Sequence, residues 1–334
     1  MSLKSLVLDA LAQALFMTKV SDPARRGRGK LLVLTFHRVL PHELRQQYPL
    51  PGLAVTPEEL DWILRQLVPH FRVLAMSEAV RALRAENLAK PLLSVTFDDG
   101  QWDNLAYAEP VLRNLGVKAT FYVPTDFVGT ERLLWHDAAA FAWQAIRRDP
   151  AKARQAALSF GIDCNAGVGA FLDKLKSFDP KRRLAAVASV YGAVGFKPPE
   201  WARLMTWDEI VQLHRSGHEI GSHGCTHTLL PQLDADGQRA ELEQSMRAIQ
   251  NALHAPVPSV CYPNGSYDER TLRAAAELGY ENAVTTAWGI NTRQSGIYEL
   301  RRCDMDARRL RSSLGKLSRA RLAIRLSGLQ PGLA

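Results

Sequence analysis

Cysteine is scarce in this chain of 334 residues: Cys164, Cys225, Cys261 and Cys303 are all there is, with no CxxC pair among them. That argues against a disulfide framework and fits a reducing compartment. Long apolar runs are missing as well, and nothing approaches the roughly 20 residues needed to cross a bilayer. There is no low-complexity tract and no short internal repeat. A clean secretory leader is also lacking. The apolar opening MSLKSLVLDALAQALFMTKV is interrupted by Asp9 and Gln13, and no small-x-small site precedes the basic ARRGRGK stretch. Residues 1–30 therefore read as an amphipathic helix followed by a basic linker. Such a helix either packs on the domain or lies on a membrane surface.

What remains is a globular composition, with 46% hydrophobic and 23% charged residues, which excludes disorder as the main state. A chain of this length buries a large core within one α/β domain. The net charge of +8 favours polyanionic partners such as phosphates, anionic lipid surfaces or acidic glycans, and charge alone does not choose among them.

Short β-rich runs alternate with amphipathic stretches along most of the chain. Strands are expected at 31–36, 92–97, 119–123, 219–222, 259–262, 282–286 and 300–303, and helices at 57–68, 77–85, 109–115, 207–216, 236–254 and 268–278. Thr56 is placed to cap the helix that starts at Pro57, with Glu59 completing a capping box. Gly116, Gly217 and Gly279 sit where helices should stop. Strand, helix, strand repeated in this way means a parallel sheet, open or closed into a barrel. From about 131 to 205 the rhythm breaks into Ala-rich helical sequence, which reads as a helical insertion between two strands. Insertions at the C-terminal end of a strand often shape substrate access.

Two segments carry chemistry. In SVTFDDG a hydrophobic strand runs into adjacent carboxylates, Asp98 and Asp99, whose mutual repulsion a metal ion would relieve; a helix cap and solvated turn is the simpler alternative. In GSHGCTH, His223 and His227 can point at one ion from a small-residue loop. Cys225 lies between them as a further thiol donor, though its side chain should point away from its neighbours. Together the two segments offer two imidazoles and a carboxylate, a three-ligand set that leaves a coordination position for water, with the second carboxylate free to act as a base.

The TFDDG and SHxxTH runs, in this order, resemble the metal motifs of the polysaccharide deacetylase family, the family-4 carbohydrate esterases with the NodB homology domain, and in particular its exopolysaccharide-type members. The likeness extends through MTWDEIVQLHRSGHEIGSH and CYPNGSYDE and covers residues 31 to about 305. It implies a distorted (β/α) barrel of about seven parallel strands, here over 31–310, with a basic C-terminal helix or tail at 311–334. It further implies that Asp98 is the general base and that Asp99, His223 and His227 hold a divalent metal, zinc above others. The third motif of the family, Arg-Pro-Pro-Tyr-Gly, is replaced by Cys261-Tyr262-Pro263-Asn264-Gly265. The arginine that orients the base is thus absent, and Arg301 and Arg302 are candidates to replace it. Tyr262 and Asn264 remain as substrate and oxyanion residues, the backbone amide of Asn264 being indifferent to its side chain. No histidine follows Gly265, so the family's usual general acid is missing, and His37 at the end of the first strand is its best replacement. His136 and Asp137 are placed at the cavity entrance, His218 is read as structural, and Trp102, Trp135 and Trp288 can stack on a sugar.

The expected activity is removal of the acetyl group from an N-acetylated amino sugar, in a glycan or a lipid-linked saccharide. A deformylase acting on a lipid-linked sugar and a non-catalytic glycan-binding protein are the alternatives. No nucleic-acid partner is expected. A cytoplasmic location with peripheral attachment to an anionic membrane at its inner face accords with the basic ends.

Overall fold

The runs LLVLTF and LLSVTF lack any polar-apolar alternation, as befits strands covered on both sides, and every residue of each is buried. The computed structural model describes residues 3–85, 88–163, 165–195 and 197–329; Cys164 and the last five residues of the basic tail lie outside it. The strands are β1 (Leu31–Phe36), β2 (Arg38–Val39), β3 (Ala54–Val55), β4 (Arg72–Val73), β5 (Leu92–Phe97), β6 (Thr120–Val123), β7 (Glu219–Ser222), β8 (Ser259–Cys261), β9 (Asn282–Trp288) and β10 (Leu300–Asp304). The helices are α1 (Leu3–Met17), α2 (Pro23–Arg26), α3 (His42–Gln47), α4 (Pro57–Leu67), α5 (Met76–Ala85), α6 (Glu109–Asn114), α7 (Trp135–Ile146), α8 (Pro150–Phe160), α9 (Val168–Lys176), α10 (Pro180–Val194), α11 (Trp207–Arg215), α12 (Ala235–Leu253), α13 (Glu269–Glu277) and α14 (Arg319–Ser327).

Seven parallel strands close a barrel in the order β1, β10, β9, β8, β7, β6, β5, with β5 pairing back onto β1 over their full lengths. The short β4 adds to the N-terminal end of β5, below the point where β6 pairs with it. Alternate strand residues face opposite ways. Leu31, Val33, Leu92, Tyr122, Cys261, Val284 and Leu300 form one cluster, closed off by Met76, Ala79, Val80 and Leu83 of α5. Leu32, Leu34 and Phe36 instead pack with Leu60, Ile63 and Leu64 of α4. Gly221 is required inside: a Cβ there would lie 2.5 Å from the Tyr122 ring.

Helix ends follow local chemistry. The Thr56 hydroxyl accepts from the Glu59 amide while the Glu59 carboxylate accepts from the Thr56 amide, the expected reciprocal cap. Helices α7 to α10 make up the insertion, with a core of their own in which Trp143 stacks on Phe171 at 4.5 Å. No helix among the described residues is long and apolar enough to cross a membrane.

Candidate metal centre and active site

The DDG turn after β5 is built so that its two carboxylates diverge. Asp99 takes a positive φ of 74° and Gly100 follows at 61°. His227 (φ 55°) and Asn264 (φ 56°), on the two loops opposite, are also left-handed. Three of the five described non-glycine residues with positive φ therefore surround one cavity, a concentration of backbone strain typical of functional sites.

That cavity, about 300 Å³, opens at the C-terminal ends of the strands. Its lining includes His37, Asp98, Asp99, His136, His223, His227, Tyr262, Asn264 and Arg302. Asp99 faces both motif histidines, with its Oδ1 3.5 Å from His223 Nε2 and 3.3 Å from His227 Nε2. All three side chains are buried, and their candidate ligand atoms lie within 4.8 Å of one another. The loop that carries the histidines is pinned by Glu241, whose carboxylate accepts from the amides of Cys225 and Thr226 at 2.8 and 3.0 Å.

The donor chemistry of this trio fits a divalent cation. His223 Nδ1 lies 2.7 Å from the Cys261 carbonyl, an acceptor only, so Nδ1 carries a proton. Burial lowers the pKa of this ring, but Cys261 and the hydrogen bond to Asp99 outweigh it and hold the pKa well above the usual imidazole value, so a cation at Nε2 would displace a second proton. Burial holds His227 near a pKa of about 4, against hydrogen bonding to Asp99, so it is neutral at ordinary pH. Two imidazole Nε2 atoms and a carboxylate converging on one point form a donor set that suits a divalent cation, which takes the lone pair of each neutral ring.

Asp98 has a separate set of partners. Arg302, from β10, donates through both terminal nitrogens to its two oxygens at 2.7 Å each. The guanidinium is held in turn by the Thr285 carbonyl at 2.8 Å and Thr96 Oγ1 at 3.1 Å. Burial would raise the Asp98 carboxyl, and the Arg302 charge and hydrogen bonds more than offset it, leaving the group below the usual carboxylate range. Cys261, at the place of the motif arginine, has its sulfur 3.1 Å from Arg302 Nη2. The guanidinium missing from β8 is thus supplied from β10, and of the two candidates named above only Arg302 serves, since Arg301 is exposed. His37 approaches from the other flank, with Nε2 3.9 Å from Asp98 Oδ2. Its carbonyl accepts from Asn104 Nδ2 at 2.8 Å, in a π-helical turn over Asn104–Ala108.

Tyr262 and Asn264 both line the cavity. The Tyr262 hydroxyl is buried with no hydrogen-bond partner among the described residues. Cys225 turns away from the ion site towards α12, its thiol on the Glu241 carbonyl at 3.4 Å and its pKa pushed up by burial to about 11. His218 is structural, with Nδ1 accepting from the Ala119 amide at 3.2 Å. Of the three tryptophans only Trp135 lines the cavity; Trp102 packs on Tyr107 under Arg203, and Trp288 lies against Gly328.

Two features escaped sequence reasoning. His136 does more than line an entrance: its Nε2 is buried 3.6 Å from Asp99 Oδ2, and its ring is 5.2 Å from that of His227. Asp137, expected beside it at the entrance, lies instead in a buried network, accepting from Tyr48 at 2.7 Å and Gln101 at 3.1 Å. The fully buried Arg38 joins that network, with Nη2 2.8 Å from Asp103 and Nη1 3.7 Å from Asp137. Its guanidinium also lies over the rings of Tyr48 and Trp201, tying the insertion to the barrel. Charged residues of opposite sign at 38, 103 and 137 carry no local signal of this pairing.

Residues 85–283 match the family model described as polysaccharide deacetylase. The chain belongs to that family. His37 and Arg302 both fall outside the matched stretch. A curated relative, YxkH of Bacillus subtilis, named for the same family, is 34% identical over 98 residues, which span 29% of this chain and 35% of that protein. Among solved structures, the fold resembles the Streptococcus pyogenes deacetylase PplD (22% identity, TM-score 0.55, covering 83% of this chain and 92% of that one). It also resembles IcaB from Ammonifex degensii (16%, TM-score 0.56, covering 90% and 96%) and the deacetylase domain of BpsB from Bordetella bronchiseptica (18%, TM-score 0.53, covering 84% and 97%). At these identities the likeness is one of fold.

Proposed function

We propose that this family member is a metal-dependent hydrolase that deacetylates an N-acetylated amino sugar, in a glycan or a lipid-linked saccharide. The observation that carries the reading is the pairing of a buried Asp99–His223–His227 trio with an arginine-clamped Asp98 in the same cavity. A divalent ion held by the trio, zinc above others, supplies polarisation of the amide carbonyl and a more acidic water, with a pKa towards ~7. Asp98, kept ionised and aimed by Arg302, takes a proton from the water as its oxygen bonds to the carbonyl carbon. The backbone amide of Asn264 is the protein's own donor for the resulting oxyanion. His37 then gives a proton to the amine nitrogen as the C–N bond breaks, releasing acetate and a free amino sugar.

The direct test is to identify the acid released from short N-acetylglucosamine oligomers. Acetate from wild type and none from Asp98→Asn supports the reading. Formate from a formamido sugar, with the acetylated oligomers untouched, replaces it with a deformylase.

A further inference from the structure

Helix α1 lies outside the barrel and is apolar on two sides. Leu8, Ala12 and Leu15, spaced for one helix face, pack on Ala320 and Ile324 of α14. On the other side Leu6, Val7, Leu11, Phe16, Met17 and the following Val20 are exposed, Val7 at 60% and Met17 at 73%. The remaining exposed large apolar side chains among the described residues are Leu158, Leu184 and Leu314. Leu314, 75% exposed, belongs to this patch: it tips the turn between Arg311 and Leu317, where the Ser313 amide donates to Asp9 at 2.8 Å. Asp9, the one acid of α1, is also bound by Arg321 Nε at 2.6 Å, so its charge is neutralised on the inner side.

Charge follows the same geography. Residues 1–30 and 301–334 hold fifteen Lys and Arg against four Asp, while residues 31–300 hold 27 against 30 acids. The positive balance of the chain therefore comes from its two ends, which α1 and α14 bring together. Lys19, Arg25, Lys316 and Arg319 are exposed around the apolar patch. A second copy of so basic a face would be repelled, whereas an anionic lipid surface matches both its charge and its apolar centre. The flanking C-terminal segment reaches the cavity rim, where Arg308 packs on Gly52, between the cavity residues Leu50 and Leu53, and Arg325 of α14 donates to the carbonyl of Asp304.

We propose that α1 and the adjoining 311–317 turn form a membrane-docking face, which inserts shallowly into an anionic bilayer. The inference stands on this surface and is independent of the hydrolytic reading. Its test is sedimentation of the full chain with phosphatidylcholine vesicles and with mixed phosphatidylcholine–phosphatidylglycerol vesicles. Wild type should bind the mixed vesicles at low salt, about tenfold more strongly than the neutral ones, and be released as salt rises. The Val7→Glu/Leu11→Glu double variant should lose about tenfold or more of that binding with an unchanged melting temperature, because both side chains are exposed. If that variant does not fold, Lys316→Glu should weaken binding to mixed vesicles alone. Failure of wild type to bind mixed vesicles, or binding that ignores both changes, overturns the proposal. So does a concentration-dependent dimer that Val7→Glu dissociates, since the face would then cover a second copy.

Discussion

Replacing Arg302 with alanine removes the only guanidinium among the described residues that touches the Asp98 carboxylate, together with two hydrogen bonds of 2.7 Å. Both groups are buried, so this is the costly case in which one member of a buried ion pair is left behind, about 3–5 kcal/mol if the carboxylate stays ionised. The cheaper escape is protonation. Burial already raises the Asp98 carboxyl and Arg302 is the main force holding it down, so its loss moves that pKa upward. A protonated Asp98 cannot accept a proton from water. At neutral pH kcat/KM for acetate release should therefore fall about 10²–10³-fold, equivalent to about 3–4 kcal/mol of transition-state stabilisation. The acid limb of the pH profile should shift to higher pH, with partial recovery in alkaline buffer. Metal content should be unchanged, because Arg302 touches none of the three proposed ligands. Arg302→Lys should fall between, keeping the charge without the two-point geometry. Adding Cys261→Arg to Arg302→Ala should return part of the activity, because the Cys261 sulfur already sits 3.6 Å from Asp98 Oδ2. An Arg302→Ala enzyme within about threefold of wild type and with an unmoved acid limb would refute the reasoning.

His136 should act through Asp99: His136→Phe is expected to weaken metal affinity about 10–100-fold, read by competition with a chelator, and equal affinity in the two proteins would deny it that role. His218 should make the fold acid-sensitive. Burial, aided by Lys118, lowers its pKa from 6.5 to about 4, so the unfolded chain binds the extra proton between those values and stability falls as pH drops through that window. Over that range the loss amounts to at most about 3 kcal/mol, and His218→Gln should flatten the dependence of the urea midpoint; an identical slope in the variant would count against it.

Much of the scaffold was legible because its signals are local. Hydrophobic runs such as LLVLTF, stop glycines such as Gly217 and the Thr56–Glu59 box each declare an element within a few residues, and the strands at 31–36, 92–97 and 219–222 lie where expected. The two-residue strands β2, β3 and β4 are too short to show a period and went unseen. The candidate ligands were legible for the same reason, since DDG and SHGCTH each hold their donors within a few residues. What makes the site asymmetric was not. Arg302 meets Asp98 across 204 residues, and nothing in RRCD distinguishes the buried Arg302 from the exposed Arg301 beyond strand alternation. His136 reaches Asp99 only because α7 starts beside the cavity, and the partnership of Arg38 with Asp103 and Asp137 depends on how the insertion folds back.

The most direct test of the account is zinc binding by the metal-stripped chain, measured alongside acetate release in wild type, Asp98→Asn and His223→Ala. The account predicts one equivalent of metal in wild type and in Asp98→Asn, little in His223→Ala, and turnover in wild type alone. Stoichiometric binding that survives His223→Ala, or full turnover by the metal-free chain, would contradict it.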